Sequence, residues 1–277
     1  DGLVELEQSL SEYNVPLITI VGNPKEKLST TFGHLKPAAV YMDFNPLRGP
    51  SKLREELAKD WPLIIVDTHN IVPIWLASPK QEIGARTLRP KIHRLLPDFM
   101  TEPESLIQHP YKWPNDSLLS VLKVRSLFSD LLESIPRNHI KVTVKSGERA
   151  ANTALQDFLD NRLAGYATNR NDPSIDGVSG LSPYLHFGQL SSLRVMLEVL
   201  YRLQNDSSLQ QDCDALLEEI IIRKELSDNF CYYNSSYDSL DGAPEWAQKT
   251  LHKHSSDKRE YMYNLKQFEI AQTHDEA

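Results

Sequence analysis

Val178-Ser-Gly-Leu-Ser-Pro-Tyr-Leu-His-Phe-Gly-Gln-Leu-Ser191, with Tyr166-Ala-Thr-Asn-Arg-Asn-Asp-Pro173 just before it, is the stretch whose reading decides the fold. Asn171-Asp172-Pro173 is a turn that ends the preceding helix, because Asn and Asp bond their own backbone and proline cannot continue a helix. Ser182-Pro183 reads as an N-cap followed by proline at the first helical position. Ser179, Gly180 and Ser182 are small donors beside that helix start, a suitable cradle for a phosphate. A plain capped loop would use the same residues, and spacing alone leaves the two readings open.

Downstream and around this loop the patterns are helical. Glu148 to Leu163 places Ala151, Leu155, Phe158, Leu159 and Leu163 on one face. Leu190–Leu203, Leu209–Phe230, Ala243–His254 and Ser256–Ala271 read as further helices. Upstream, three apolar runs, Val15–Val21, Ala38–Met42 and Pro62–Val66, read as strands. Asn23 looks like an N-cap with Pro24 behind it, and Ser51 to Asp60 reads as a helix capped by Ser51. The order β-α-β-α-β implies a parallel sheet with ligands beyond the carboxyl ends of its strands, where Asp43 and Asp67 lie. Two carboxylates capping turns is the plainer reading of that pair. Doubly wound sheets usually have more strands, so further strands are expected upstream of Asp1. From Thr68 to Ile135, Pro73, Pro79, Pro90, Pro97, Pro103, Pro110 and Pro114 break the chain into what reads as a long surface connector. It carries a basic cluster, Lys80, Arg86, Arg89, Lys91 and Arg94, opposed only by Glu82.

Composition narrows the classes. The 277 residues carry a net charge of −8, split as 18 basic and 17 acidic side chains over 1–146 and 12 and 21 over 147–277. That balance does not itself suggest a nucleic-acid partner, although a cationic groove can sit in an acidic domain. Cys213 and Cys231 lack the spacing of zinc or redox sites and read as buried free thiols in a reduced, intracellular setting. No apolar run approaches the ~20 residues of a membrane span. Phosphate-loop, dinucleotide-fingerprint, zinc-helix and nucleophile-elbow motifs are absent, as is a metal-ligand pattern.

The 166–191 segments together resemble the flavin-binding signature of the photolyase and cryptochrome superfamily. The variant Gly180-Leu-Ser-Pro-Tyr-Leu-His-Phe-Gly-Gln is similar to that of class II cyclobutane pyrimidine dimer photolyases. His69-Asn-Ile-Val-Pro-Ile-Trp75, Lys80-Gln-Glu-Ile-Gly-Ala-Arg-Thr-Leu-Arg-Pro-Lys-Ile92, Ile222-Arg-Lys-Glu-Leu-Ser-Asp-Asn-Phe-Cys-Tyr-Tyr233 and Ser256-Asp-Lys-Arg-Glu-Tyr261 carry the likeness along essentially the whole chain. The resemblance implies an α/β plus all-α fold. A Rossmann-like parallel-sheet antenna domain, incomplete, would span 1–70, an inter-domain connector 71–146, and an incomplete helical FAD-binding domain 147–277.

By the same resemblance Tyr166, Val178, Ser179, Gly180, Leu181, Ser182, Lys224 and Glu225 would line the flavin site. Glu219 would be the catalytic acid of the lesion pocket. Arg170, Glu219 and Arg223 would face DNA, Arg170 through backbone phosphate. Some members place an aromatic residue where Arg223 stands, so its role is open between stacking on a base and a salt bridge to Glu219 or Asp228. The implied cofactor is FAD, beside an antenna chromophore of folate or deazaflavin type. The implied partner is UV-damaged DNA containing cyclobutane pyrimidine dimers, handled by a monomer in the nucleus or another DNA-containing compartment. Family members continue past the position of Ala277 with electron-relay tryptophans, which Trp61, Trp75, Trp113 and Trp246 do not match. A cryptochrome-like light sensor and a non-catalytic helical module are the competing readings. Glu219 and the Val178–Gln189 loop weigh against them.

Overall fold

A computed structural model describes residues 2–112 and 142–275, so the part of the expected connector from 113 to 135, Trp113 and Pro114 included, lies outside the described residues. The chain divides into two compact units, one through Tyr233 and one from Asn234.

The first unit opens with α1 (Gly2–Glu12), α2 (Pro24–Leu35), β1 (Val40–Asp43), α3 (Arg48–Leu57) and β2 (Leu63–Val66). The Asn23 side chain accepts from Glu26 N–H with Pro24 behind it, as the cap pattern requires. β1 and β2 pair in parallel, Val40 opposite Leu63 and Asp43 opposite Val66. Val15–Val21 is not a strand, which corrects one expectation. Among the described residues the sheet holds β1 and β2 only, and a strand needs a neighbour's N–H and C=O groups, which apolarity alone does not supply. Ser51 is not the α3 cap either. The helix starts at Arg48, with the Asn45 side chain accepting from Leu47 N–H, because Pro50 sits in the first turn where a missing N–H costs nothing.

The proline-rich segment is more ordered than its composition suggests. It forms α4 (Ile74–Ala77) and α5 (Ala85–Phe99), with Pro90 and Pro97 inside α5. Ile71, Val72, Ile74, Ala77, Ala85, Leu88 and Ile92 are buried. The expectation of a surface connector is therefore corrected over 71–99. Apolar burial on the Ala85-Leu88-Ile92 face outweighs the helix-breaking tendency of the prolines.

The helical part has α6 (Glu148–Asn161), α7 (Tyr166–Asn169), α8 (Ser182–His186) and α9 (Ser192–Asn205). A long element follows: α10 (Gln210–Leu217), a π turn (Glu218–Arg223) and α11 (Lys224–Tyr233). Ser182 is the first residue of α8 and Leu181 its cap, one position from the expectation. Gly147 offers α6 no side-chain cap, and Glu5 of α1 supplies one by accepting from Arg149 N–H at 3.0 Å.

Two apolar cores result. One joins Leu155, Phe158, Leu163, Tyr166, Leu181, Val195, Leu216 and Ile220. The other joins Val72, Leu88, Ile92, Met196, Ile221 and Ile222.

In the second unit, α12 (Glu245–Lys253) matches expectation, but only α13 (Leu265–Glu269) is helical within Ser256–Ala271. A capping box between Asn264 and Gln267 starts α13 late. Ahead of it, Tyr261 and Tyr263 stack on His274, which fixes a non-helical path.

Phe158 is fully buried and meets Tyr166 edge-on at 5.5 Å. Phe158→Ala is expected to lower unfolding free energy by about 3–5 kcal/mol, read as a drop in the denaturant midpoint. A loss under ~1 kcal/mol would mean this core is loosely packed.

Candidate functional site

Strand ends and helix starts first fix the ground around the site. Asp67, just past β2, accepts from the N–H groups of His69, Asn70 and Ile74, and Asp43 accepts from Thr68. Asp67 caps a turn, as the plainer reading had it, whereas Asp43 holds the Thr68 hydroxyl across the strand ends instead.

The next segment, 69–82, is held along α11 by side chains spaced about one turn apart. The Glu225 Oε1 accepts from Ile71 N–H at 2.8 Å and Val72 N–H at 3.4 Å. Asn229 accepts from Glu82 N–H at 2.7 Å and donates to Lys80 O, and the Tyr233 hydroxyl donates to Ser78 O. Lys224 Nζ donates to His69 O and to the Asn70 side chain and pairs with Asp228.

Burial pushes the Glu225 carboxyl up to about 7, against the backbone donors of Ile71 and Val72 and the Lys224 charge. Its Oε2 is buried and has no partner. Glu82 goes the other way. Burial raises it, but hydrogen bonds from Lys91, Ser78 and Thr87 prevail and hold it near about 2.

The basic run is thus partly neutralised. Lys91 pairs with Glu82, and Arg89 grips Glu218 with two bonds, Nε–Oε2 3.0 Å and Nη2–Oε1 2.7 Å.

On the opposite side of the π turn, Arg170 Nη1 pairs with Glu219 Oε1 at 2.6 Å and lies over the Tyr166 ring at 5.8 Å. Tyr166 is buried, and burial raises its hydroxyl pKa. Asp212 of α10 fixes the start of α7 by accepting from Gly165 and Ala167 N–H groups. The Glu219 side chain remains 41% exposed, so one edge is open to a ligand. Arg223 pairs with neither of its expected partners. Its Nε meets Glu218 Oε1 at 3.3 Å, because the i→i+5 turn brings residue 218, not 219, under residue 223.

The Val178–Ser182 loop is clamped from behind. Arg162 Nη1 donates to Val178 O at 3.0 Å, and Arg162 also pairs with Asp157 and Asp176. Leu181 is buried, while Val178, Gly180 and Ser182 are exposed. Gly180 has φ +69°, the left-handed region that favours glycine. Among the described residues the amides of Ser179, Gly180 and Ser182 have no hydrogen-bond partner, whereas Leu181 N–H is turned to Ser179 Oγ. Free amides beside a helix start fit a phosphate-bearing ligand.

Of the nominated residues, the structure therefore brings Tyr166, Arg170 and Glu219 into contact and ties Lys224 and Glu225 to His69–Val72. Sequence reasoning missed the contacts of Arg89, Glu218, Asp212 and Arg162, whose partners are 45 to 129 residues away or across a loop. Cys213 is buried, which raises its thiol to about 11, so it is no nucleophile. A cavity of about 560 Å³ between α1 and α6 is lined by none of the nominated residues. Among the described residues no group of side chains could hold a metal, and no helix is long and apolar enough to cross a membrane.

A small parallel sheet leading into a mostly helical region is the arrangement of the photolyase fold. The fold is shared with a bacterial class III photolyase from Agrobacterium tumefaciens at a TM-score of 0.57 and 18% identity, over 91% of this chain and 55% of that one. The family model for DNA photolyase matches residues 1–110. Deoxyribodipyrimidine photo-lyases of Potorous tridactylus and Arabidopsis thaliana are each 38% identical over 99% of this chain, and that of Methanothermobacter thermautotrophicus is 37% identical over 99%. The chain spans 51%, 56% and 59% of their lengths, about half. Over nearly its whole length the chain is thus a homologue of these deoxyribodipyrimidine photo-lyases, and its first 110 residues match the DNA photolyase family.

The raised Glu225 pKa has a sign. The folded state binds its proton more tightly than the unfolded chain, so its contribution is fully present below about 4.5 and is lost as pH rises through about 7. Glu225→Gln keeps the acceptor for Ile71 and Val72 and cannot ionise. Melting curves between pH 5 and 8 should show the wild type losing up to about 3 kcal/mol relative to the variant. Parallel curves would contradict this.

Proposed function

We propose that the full-length protein is a deoxyribodipyrimidine photo-lyase that uses light and reduced FAD to split cyclobutane pyrimidine dimers in DNA. The exposed Glu219 carboxylate, fixed by Arg170 beside buried Tyr166, carries this reading. The open amides of Ser179, Gly180 and Ser182 would take the flavin's phosphates, backed by the core that holds Leu181 and Tyr166. Lys224 and Glu225 are committed to the His69–Val72 segment, so we assign them to holding that segment on α11 rather than to touching the cofactor. Reduced FAD, when bound, supplies the photoexcited electron.

The chain's own residues do the remaining work. Arg170 and Arg223 would engage phosphate along the damaged strand. Glu219 would hydrogen-bond the dimer after it is flipped from the duplex, and the apolar walls would exclude water. The segment 1–70 would be the antenna domain, taking a chromophore of its own, and 147–277 the flavin domain, with 71–99 between them packed into the helical core. The protein would act as a monomer in a DNA-containing compartment.

The test is flavin binding and light-dependent repair of a thymine-dimer oligonucleotide by the full-length protein, beside the 277-residue chain. The full-length protein should bind flavin and repair, and Glu219→Ala should slow repair by roughly 10- to 100-fold, the value of a hydrogen bond to a charged group. Flavin binding without repair would replace this reading with a light sensor. Absence of flavin would remove it altogether.

A further inference from the structure

The π turn presents two adjacent glutamates to two different arginines. Glu219 faces Arg170 at 2.6 Å, and Glu218 receives the Arg89 fork at 2.7 and 3.0 Å while Arg223 Nε reaches it at 3.3 Å. In a regular α-helix residue 223 lies over residue 219, the i,i+4 neighbour. A turn closed in that way would set the Arg223 guanidinium on the Glu219 carboxylate and cover the edge that is now open. Only the wide turn diverts Arg223 to Glu218.

Turns of this kind are rare and short. Arg89 grips this one from outside. It comes from α5, 129 residues away in sequence, and its planar fork fixes both oxygens of Glu218. His93, one helical turn on in α5, adds its field to the same carboxylate, which the Arg89 bonds, against burial, keep below its usual pKa.

We propose that Arg89 is a positioning residue that, through Glu218, keeps Arg223 off Glu219 and so leaves the edge of Glu219 away from Arg170 open to its ligand. This inference rests on the reading of Glu219 as the group that meets the dimer. It assigns the basic run of α5 a task at the lesion pocket and explains how a cation can stand at position 223 without masking the acid beside it.

A double-mutant cycle in the full-length protein tests it: dimer-oligonucleotide affinity for wild type, Arg89→Ala, Arg223→Ala and the double variant, in the dark. Arg89→Ala should weaken affinity roughly tenfold in the wild-type background and hardly at all once Arg223 is alanine, since no guanidinium then remains to cover Glu219. Arg89→Lys, which keeps charge but not the two-pronged grip, should lose part of the affinity. It carries the same cycle if the alanine variant does not fold. An equal loss in both backgrounds, or a lowered melting temperature with unchanged affinity, would overturn the proposal while leaving the photolyase reading intact. A wild-type protein with no preference for dimer DNA would overturn that reading and this inference with it.

Discussion

The widened turn Glu218–Arg223 is the constraint on which the rest depends. Successive helical side chains already diverge by about 100°, and the wide turn adds the shift that sets Arg223 on Glu218. Ile220 enters the core built on Phe158 and Tyr166, while Ile221 and Ile222 enter the core built on Val72, Leu88 and Ile92. Glu218 and Glu219 part in the same way, toward Arg89 and Arg170. The long element therefore joins two apolar cores and sets an acidic group at the seam between them.

α11 extends that role by holding the 69–82 segment through groups that would be costly to bury alone. Glu225 takes two backbone donors, and Asn229 and Tyr233 satisfy others further along. Burial, with Glu225 Oε2 left unpartnered, is what leaves this arrangement disfavouring the charged form. Glu82 differs: shielded from solvent but set less deeply in the protein, it has Lys91 and Ser78 at its oxygen and keeps its charge. Burial sets the cost of a carboxylate, and local donors decide whether it is offset.

Much of this was legible in the sequence where the signal is local. The Asn23-Pro24 cap, the Ala151 to Leu163 stripe and the Asn171-Asp172-Pro173 turn depend on neighbours within a few residues, and each formed. Two kinds of signal misled. Val15–Val21 has strand composition but no ladder partner, a non-local requirement. Pro90 and Pro97 signal breaks, yet the buried face of α5 overrides them. The candidate site divides similarly. Tyr166, Arg170 and Glu219 came from the motif resemblance and do meet. The Arg89 contact was invisible, because nothing in a basic run tells which cation has a distant carboxylate. The Arg223 partner was misread because a π turn leaves no mark on residue spacing.

A crystal structure of the full-length protein bound to a thymine-dimer duplex is the most direct measurement of this account. It should show an i→i+5 turn at 218–223, Arg223 on Glu218, and the Glu219 carboxylate turned to the extruded dimer. A regular α-helical turn with Arg223 paired to Glu219, or a dimer held with Glu219 facing away, would contradict it.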